Sequence, residues 1–357
     1  MAGQMSVKDL VLIPWSWLFR GIVACRNMAF NRGLLRTTSV GVPVISVGNV
    51  TVGGTGKTPL TEFIVQHCLG RGKRVAIVSR GYKRKSRGVV LVSDGKTILA
   101  DSREAGDEPV QLARKFPQTI VVVGERKVEA ARRAVHVFHP DVVIVDDGFQ
   151  HRYLRRNLDI LVVNSSHDGY PGRLLPAGRN REPWSAVRRA GLVALSSVMS
   201  AEQGSGWKAN LVRWYSGPWV EFQYKTAEVR RFPDDELVPL ESLKGKAVFA
   251  FSGIGHHHGF VEGVKSLGCR LTGSVGFPDH YAYEESDIIE ILGKMQETEA
   301  EYCITTEKDA VRLMADGRLV KEFQTYPILY SRIKVKIVSG KELLTDLIDT
   351  CLQGKVT

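Results

Sequence analysis

The sequence has few cysteines, and none of them has the spacing of a metal site or a disulfide framework. Its five cysteines lie far apart in 357 residues and form no CxxC pair, which indicates a reducing compartment with ordinary thiols. It also lacks internal repeats and low-complexity tracts. With 43% apolar and 24% charged residues, the composition excludes disordered and collagen-like classes and allows two α/β domains with cores of their own.

Acidic residues are in deficit. Lysine and arginine number 49 against 38 aspartate and glutamate residues, a formal charge of +11. This excess predicts an anionic partner: a nucleotide, nucleic acid, an acidic membrane surface or a phosphorylated substrate. The arginines are scattered and no nucleic-acid recognition motif accompanies them, so we expect no nucleic-acid partner. No obligate protein partner is evident either.

An apolar run long enough to span a membrane is also missing. The stretch VLIPWSWLFRGIVACRNMAF, residues 11–30, is interrupted by Pro14, Arg20 and Arg26, whereas a spanning helix needs about 20 mostly apolar residues. The same interruptions, with no small-residue cleavage site after them, argue against a signal peptide.

Helical spacing instead places an apolar stripe on one side of residues 1–35. The stripe consists of Trp15, Leu18, Ile22, Cys25 and Ala29. Two interpretations stay open. The helix lies in a membrane interface, with Trp15 and Trp17 at headgroup depth and Arg20, Arg26, Arg32 and Arg36 near anionic lipid, or it packs on its own domain.

The rest of the chain predicts a doubly wound α/β fold. Short β-branched runs alternate with helical segments: 42–47, 74–79, 120–123, 141–145 and 159–164, a pattern typical of buried parallel strands. We predict a nucleotide-binding domain over 36–165 and a Gly-, Pro- and Arg-rich lid or linker over 166–190. A second, smaller α/β domain follows over 191–357, with strands near 191–195, 247–255, 269–276, 301–305 and 335–338.

The glycine-rich stretch GNVTVGGTGKTP, residues 48–59, lies between a predicted strand and a predicted helix. That context favours a phosphate-binding loop over a plain glycine turn. Thr51 stands where the pattern asks for the first glycine, which is tolerable if the sharp turn falls at Gly53-Gly54. Lys57 is placed to reach the β- and γ-phosphates and Thr58 to ligate Mg²⁺. The predicted nucleotide-binding residues are Thr51, Val52, Gly53, Gly54, Thr55, Gly56, Lys57 and Thr58.

A second motif, VVIVDDGFQH at 142–151, ends a buried strand in two carboxylates. This Walker B arrangement predicts that Asp146 helps Thr58 to hold Mg²⁺. Asp147 is either a further active-site group or a turn residue. His151 is either a phosphate or substrate contact or a surface histidine.

A third motif, GDEP at 106–109, begins a predicted helix. Asp107 and Glu108 suit helix capping. As functional groups, a carboxylate beside the γ-phosphate accepts the proton of an attacking hydroxyl. The residue types alone leave both interpretations open.

Taken together, the motifs resemble the tetraacyldisaccharide 4′-kinase family of lipid A biosynthesis. The resemblance spans almost the whole chain and rests on GNVTVGGTGKTP, SRGYKR, GDEP, DDGFQHRYLRRNLDI, PGRLLPAGRNREP, FSGIG, FPDH and TTEKDAVR. It implies a P-loop kinase-like α/β fold with a second α/β/α domain and a two-stranded lid. It also implies transfer of the γ-phosphate of ATP to the 4′-hydroxyl of a tetraacyldisaccharide 1-phosphate, giving lipid IVA, at the cytoplasmic face of the bacterial inner membrane.

The resemblance also implies roles for single residues. It makes Asp107 the general base, paired with His280 of FPDH, and keeps Asp147 and His151 in the active site. It groups Asp146, Thr58 and Glu108 around Mg²⁺.

Other basic and polar residues are left with two interpretations each. Arg80, Lys83, Arg84, Arg173 and Arg179 bind the substrate's 1-phosphate or close over ATP, or else they are solvated. In TTEKDAVR, Lys308 and Asp309 mark an inter-domain or nucleotide contact, or the helix simply begins there with Thr305 or Thr306 as its cap.

The strongest rival is a regulatory P-loop GTPase or metallochaperone-type switch. It requires an Asn-Lys-x-Asp base-reading motif, whereas the relevant strand ends in Asn164-Ser165-Ser166-His167. The run His256-His257-His258 stands where relatives commonly continue with Asn-Pro. We interpret these histidines as loop residues, because nothing nearby completes a metal site.

Overall fold

The computed structural model describes residues 7–53, 56–164, 172–196 and 211–354. The chain forms two compact units. The first contains Met1–Arg80, Gly124–Gln223 and Lys336–Thr357, and the second contains Gly81–Val123 and Tyr224–Val335. The predicted boundaries at 35, 165 and 190 do not coincide with these units, because packing joins segments that are distant in sequence.

The strands and helices are numbered in chain order. The strands are β1 Val44–Gly48, β2 Val75–Ser79, β3 Val90–Asp94, β4 Ile120–Val123, β5 Val142–Asp146, β6 Leu158–Asn164, β7 Leu192–Ser196, β8 Trp219–Arg231, β9 Leu237–Val238, β10 Ala247–Ser252, β11 Arg270–Gly276, β12 Tyr302–Thr306 and β13 Ile328–Ser339. The helices that lie wholly within the described residues are α1 Val7–Asn31, α2 Lys57–Gly70, α3 Ser102–Ala105, α4 Asp107–Lys115, α5 Lys127–Phe138, α6 His257–Lys265, α7 Glu285–Glu297, α8 Glu307–Met314, α9 Gly317–Phe323 and α10 Lys341–Leu352.

The first unit is built on a parallel sheet. Its strand order is β7-β6-β1-β5-β2, and the start of β8 continues it beyond β7, also in parallel. Strands β1, β2, β5 and β7 are buried along their whole length, as their unbroken β-branched runs predict. Strands β1 and β5 end side by side, with Val47 opposite Asp146. The carboxyl ends of these strands therefore bring the glycine loop and the DDGFQH motif together.

Gly48, the last residue of β1, has no room for a side chain. A Cβ there would lie 2.6 Å from both the Cβ and the backbone nitrogen of Phe149. The turn after β5 therefore packs directly on the entry to the glycine loop, and only glycine permits that approach.

The second unit contains a parallel sheet and two antiparallel pairs. Strand β10 lies between β11 and β12, β12 pairs with β13, and these pairings are all parallel. Strand β3 pairs antiparallel with β4, and the end of β8 pairs antiparallel with β9. The core around Phe251, Phe323 and Tyr283 is formed by aromatic and aliphatic side chains of this unit.

Most predicted strands are present within a few residues of their expected bounds, and the α/β class is confirmed. Strands β3, β8 and β9 were missed. Strand β8 carries charged residues such as Glu221, Lys225 and Glu228 and has no regular alternation of buried positions, so it resembles a polar loop.

The predicted lid or linker at 166–190 is only partly described, because residues 166–171 lie outside the described ranges. Among residues 172–190 the structure has a 3₁₀ helix, Trp184–Arg189, and isolated bridges from Asn180 to Thr51 and Leu174, but no extended strand. Its function as a lid stays a prediction.

Candidate active site

The glycine loop connects β1 to α2 in the first unit, as predicted. Helix α2 begins at Lys57, and Gly56 caps it in the left-handed region with φ 76°. Gly53 also has a positive φ, 105°. The glycines therefore carry the special backbone angles, which is consistent with a threonine at position 51. Gly54 and Thr55 lie outside the described residues.

A segment of the predicted lid pairs with the backbone of this loop. Thr51 pairs with Asn180 in an antiparallel bridge, and the Val52 N–H donates to the Arg179 carbonyl over 2.8 Å. The Arg179 guanidinium lies 2.6 Å from where a Cβ of Gly53 would be. Arg179 is thus placed at the glycine loop.

Lys57 and Asp147 face each other across the loop. Lys57 Nζ lies 3.5 Å from Asp147 Oδ1 and donates to Asn49 Oδ1 over 3.3 Å. Arg181 Nη1 donates to both carboxylate oxygens of Asp147, over 3.0 and 2.8 Å. Burial alone would raise the pKa of the Asp147 carboxyl, but the charges of Lys57, Lys127 and Arg181 hold that pKa far below its ordinary value. Asp147 is therefore an anion that holds two cations beside the glycine loop.

Sequence reasoning missed Lys127, the first residue of α5. Its side chain is buried, and Nζ donates to the carbonyls of Asp146 and Asp147 over 2.7 and 2.5 Å. Burial lowers the pKa of this amine, against the opposing charges of Asp147 and Asp146. The lysine ties down the turn in which Asp147 takes a φ of 52°. In sequence, nothing distinguishes it from a lysine on an exposed helix face.

Two of the three predicted Mg²⁺ ligands, Thr58 and Asp146, belong to the first unit. Asp146 is buried at the end of β5, and its Oδ1 accepts from the Thr61 hydroxyl over 3.4 Å. Among the described residues no cluster of three His, Cys, Asp or Glu side chains is placed to hold an ion. One carboxylate and one hydroxyl fit Mg²⁺, which takes most of its remaining ligands from phosphates and water.

His151 also belongs to the first unit. Its Nε2 atom is buried and lacks a hydrogen-bond partner within the described ranges. Burial and the nearby charges of Lys127 and Arg156 lower the pKa of His151 to about 4. The imidazole is therefore neutral at pH 7.

The second unit brings Asp107 and His280 together from motifs 173 residues apart. Asp107 is the first residue of α4, and its Oδ2 lies 2.9 Å from His280 Nδ1. His280 has a positive φ of 60°, and its backbone N–H donates to the Gly253 carbonyl of FSGIG over 3.1 Å. The ring of Tyr82 packs at 5.1 Å from the His280 ring. The motifs GDEP, FPDH, FSGIG and SRGYKR thus meet around one imidazole.

Cations of α8 hold the two carboxylates of GDEP. Arg312 Nε donates to Asp107 Oδ2 over 2.6 Å, and Lys308 Nζ lies 2.5 Å from Glu108 Oε1. Burial would raise the pKa of the Asp107 carboxyl, but the His280 hydrogen bond and the charges of Arg312 and Lys308 leave that pKa below its ordinary value. Glu108, predicted as a metal neighbour, is therefore paired with a lysine here.

Several other predicted site residues make hydrogen bonds of an ordinary structural kind. Thr306 caps α8 by accepting from the Asp309 N–H, as the capping interpretation predicts. Lys83 donates to the Asp279 carbonyl and Arg84 to that of Gly88. The prediction that His256–His258 are loop residues is wrong for His257 and His258, because α6 begins at His257 and His256 caps it; His257 Nδ1 lies 2.8 Å from the Ser252 hydroxyl.

Helix α1 packs on the first unit through a mixed side, on which Val23 and Phe30 are buried and polar side chains make hydrogen bonds. Asn27 Nδ2 donates to the buried carboxylate of Glu182 over 2.8 Å, and Ser16 donates to the Leu174 carbonyl. Arg26, predicted to face lipid, instead donates to the Gln150 carbonyl and lies 3.9 Å from Glu182.

The apolar stripe of α1 faces outward. Trp15, Trp17, Leu18 and Ile22 are each more than half exposed. One side of this helix therefore packs on the unit, as the packing interpretation predicts, and the membrane interpretation stays a prediction. None of the helices among the described residues combines the length and apolar character needed to cross a bilayer.

Comparisons with known proteins agree with this architecture. A family model described as tetraacyldisaccharide-1-P 4′-kinase matches residues 8–353. A tetraacyldisaccharide 4′-kinase of Chlorobium limicola is 37% identical over 343 residues, covering 95% of this chain and 97% of that protein. One of Anaeromyxobacter dehalogenans is 41% identical over 298 residues, covering 83% and 79%.

A solved structure is similar over nearly the whole chain. It is the crystal structure of an "apo" form of LpxK from Aquifex aeolicus in complex with ATP, with a TM-score of 0.78 and 34% identity, covering 97% of this chain and 100% of that one. This match confirms the predicted P-loop kinase-like α/β fold. The chain belongs to the tetraacyldisaccharide-1-P 4′-kinase family.

Proposed function

We propose that this protein transfers the γ-phosphate of ATP to the 4′-hydroxyl of a tetraacyldisaccharide 1-phosphate, forming lipid IVA in lipid A biosynthesis. The observation that carries the proposal is the family match over residues 8–353, which includes both the glycine loop and the Asp107–His280 pair. The rival GTPase switch has no support from the relatives, which are named as kinases.

The first unit supplies the groups that bind the phosphates of ATP. The N–H groups at the start of α2 and the ammonium of Lys57 stabilise the charge that develops on the transferred phosphoryl group. When nucleotide enters, its phosphates compete with Asp147 for Lys57 and Arg181, which Asp147 holds at 3.5 and 2.8 Å. Thr58 and Asp146 would hold Mg²⁺, which would supply further neutralisation of the phosphate charge.

The second unit supplies the proton acceptor. A sugar hydroxyl is a weak nucleophile and needs a base as its oxygen attacks the γ-phosphorus and the bond to the β-phosphate oxygen breaks. Asp107 was expected to be that base. Its Oδ2 already accepts from Arg312 and faces His280 Nδ1, so we assign the first proton acceptor to His280 Nε2. Asp107 then orients the ring and stabilises the imidazolium, as in other carboxylate–histidine pairs.

Helix α1 supplies contact with the membrane that contains the lipid substrate. Its exposed stripe of Trp15, Leu18 and Ile22 is suited to the apolar side of an interface, and Arg20 and Arg32 are exposed for anionic headgroups. This arrangement supports a peripheral position on the cytoplasmic face of the bacterial inner membrane, where ATP and the lipid disaccharide are both accessible.

A phosphoryl-transfer assay tests the function. The protein, ATP labelled at the γ-phosphate and the tetraacyldisaccharide 1-phosphate in mixed micelles are expected to give labelled lipid. Lys57→Met, Asp107→Asn and His280→Gln should each lower kcat by about 10²–10⁴-fold, because they remove phosphate stabilisation or the proton acceptor. The exposed residue Arg318 offers a control, and Arg318→Gln should leave the rate unchanged.

Other outcomes would contradict the assignment. Label transfer that requires GTP, or that does not depend on the lipid disaccharide, would refute the kinase function. A normal rate for folded His280→Gln together with a lost rate for Asp107→Asn would move the proton acceptor back to Asp107.

A further inference from the structure

Arg312, the last residue of TTEKDAVR, is the side chain through which α8 reaches the Asp107–His280 pair. Its side chain is 8% exposed, and arginine is seldom buried to this degree unless it is paired. It has no role in the proposed reaction so far. Its contacts are specific enough to assign one.

The guanidinium touches the supports of both members of the pair. Its Nε donates to Asp107 Oδ2 over 2.6 Å, the oxygen that also faces His280 Nδ1. Its Nη1 donates to the Gly253 carbonyl over 2.8 Å, and that carbonyl also accepts the His280 backbone N–H over 3.1 Å. One planar group thus sets the position of the aspartate carboxylate and of the loop that holds the histidine.

Arg312 is itself held rigidly. Asp309, fully buried one turn earlier on α8, accepts from Arg312 Nη1 over 2.8 Å. The same carboxylate accepts from the Gly253 N–H, the Tyr283 hydroxyl and the Thr306 hydroxyl over 3.1, 2.9 and 2.6 Å. A guanidinium whose partner is so fully hydrogen-bonded has little freedom to move.

The same face of α8 holds the neighbouring carboxylate. Lys308 lies four residues before Arg312, so both side chains point to one side of the helix, and Lys308 binds Glu108 over 2.5 Å. Two cations of α8 therefore hold the first turn of α4. His280, whose φ of 60° is unfavourable for a non-glycine residue, needs such a rigid surrounding.

We propose that Arg312 is a positioning residue for phosphoryl transfer, which holds Asp107 Oδ2 and the Gly253 carbonyl so that the His280 imidazole keeps one orientation. This inference rests on the proposed function, since it assigns a task within the proton-accepting site. Without the guanidinium, the carboxylate and the loop lose their common support, and a shift of about 1 Å in a reacting group costs on the order of 10²-fold in rate.

Lysine cannot replace this arginine fully. An ammonium is a single point donor, whereas Arg312 uses Nε and Nη1 in two fixed directions. Arg312→Lys should therefore keep the charge and regain part of the rate, while Arg312→Gln should lower kcat by about 10²-fold. The KM for ATP should stay within about threefold, because the phosphate-binding groups are elsewhere in the chain.

The experiment compares Arg312→Gln, Arg312→Lys and a matched control on the full-length protein. The control is Arg103→Gln. Arg103 lies in the same unit, its side chain is half exposed, and it pairs with the carboxylate of Asp316. Measurements are kcat and KM for both substrates, the melting temperature, and the imidazole ¹⁵N signals of His280, assigned with His280→Gln. We expect the His280 signals and kcat to change in the Arg312 variants and to stay unchanged in Arg103→Gln.

A merely stabilising role predicts the opposite. Folded Arg312 variants with lower melting temperature but normal kcat and unchanged His280 signals would overturn the proposal. If Arg312→Gln does not fold, Arg312→Lys decides by the same measurements. If the wild-type protein does not phosphorylate the disaccharide, the proposed function fails, whereas the His280 signals still report whether Arg312 positions the ring.

Discussion

The exposed stripe of α1 allows a quantitative prediction about membrane binding. The perturbation is the double substitution Leu18→Gln and Ile22→Gln. These residues are four positions apart and lie on one face of the helix, and they are 57% and 58% exposed in the protein. Glutamine has a helix propensity close to that of leucine, so the helix and its contacts to Glu182 should persist.

The expected loss follows from the apolar surface still available to lipid. Full burial of a leucine or isoleucine side chain is worth about 1.5–3 kcal/mol. With somewhat more than half of each side chain exposed, each contributes about 1–2 kcal/mol on insertion into the interface. The pair therefore contributes roughly 2–4 kcal/mol, and the vesicle partition coefficient of the double variant should fall by a factor of about 30 to several hundred.

Sedimentation with vesicles that contain anionic lipid measures the partition coefficient. The matched control is Ile289→Gln on α7, where an isoleucine is 65% exposed but no apolar stripe with flanking tryptophans surrounds it. Because this control changes one residue, it is compared with the single variant Ile22→Gln. The control should bind vesicles like the wild type, whereas Ile22→Gln should bind more weakly. Circular dichroism melts establish that all variants are folded.

Two results would refute the reasoning. An unchanged partition coefficient for the folded double variant would mean that α1 does not enter the interface. An equal loss for Ile289→Gln would mean that apolar exposure acts without regard to position.

Three further predictions concern buried groups of the first unit. Lys127→Met leaves two carbonyls without their donor and should lower the free energy of unfolding in urea by about 2–5 kcal/mol, whereas Lys127→Arg should retain most of it. Glu182→Ala breaks a buried pair with Arg189 and should cost about 3–5 kcal/mol in the same measurement; a loss below 1 kcal/mol would contradict this. The pKa of His151 is lowered to about 4 from 6.5, so the unfolded chain binds its proton first as the pH falls. Stability should therefore decrease between about pH 6.5 and 4 by at most roughly 3 kcal/mol, and His151→Gln should remove that part of the slope.

Local patterns predicted much of the fold and part of the site. The β-branched runs of β1, β2 and β5 are buried, because a strand that is apolar on both faces is stable only when both faces are covered. The glycine loop was recognised from its place between a strand and a helix. By contrast, β8 was not predicted, because its charged residues are unusual in a strand. Its pairing with β7 and β9 depends on residues that are distant in sequence.

The domain boundaries show the same division. A boundary near residue 165 is a natural inference from motif order, yet Gly81–Val123 pack with the second unit and Lys336–Thr357 with the first. The composition of a segment does not indicate that the chain leaves one unit and rejoins it later.

The sequence by itself determined which groups are available for the proposed reaction: a glycine loop between a strand and a helix, carboxylates that follow a buried strand, an aspartate and a histidine that we propose for proton transfer, and an amphipathic helix at the start. Only the tertiary structure decided which charges meet. Lys127 at the carbonyls of Asp146 and Asp147, and Arg312 on Asp107 across 205 residues of chain, are indistinguishable in sequence from solvated cations. Their roles come from burial, because a charge removed from water must find partners, and long-range packing determines which partners are within reach.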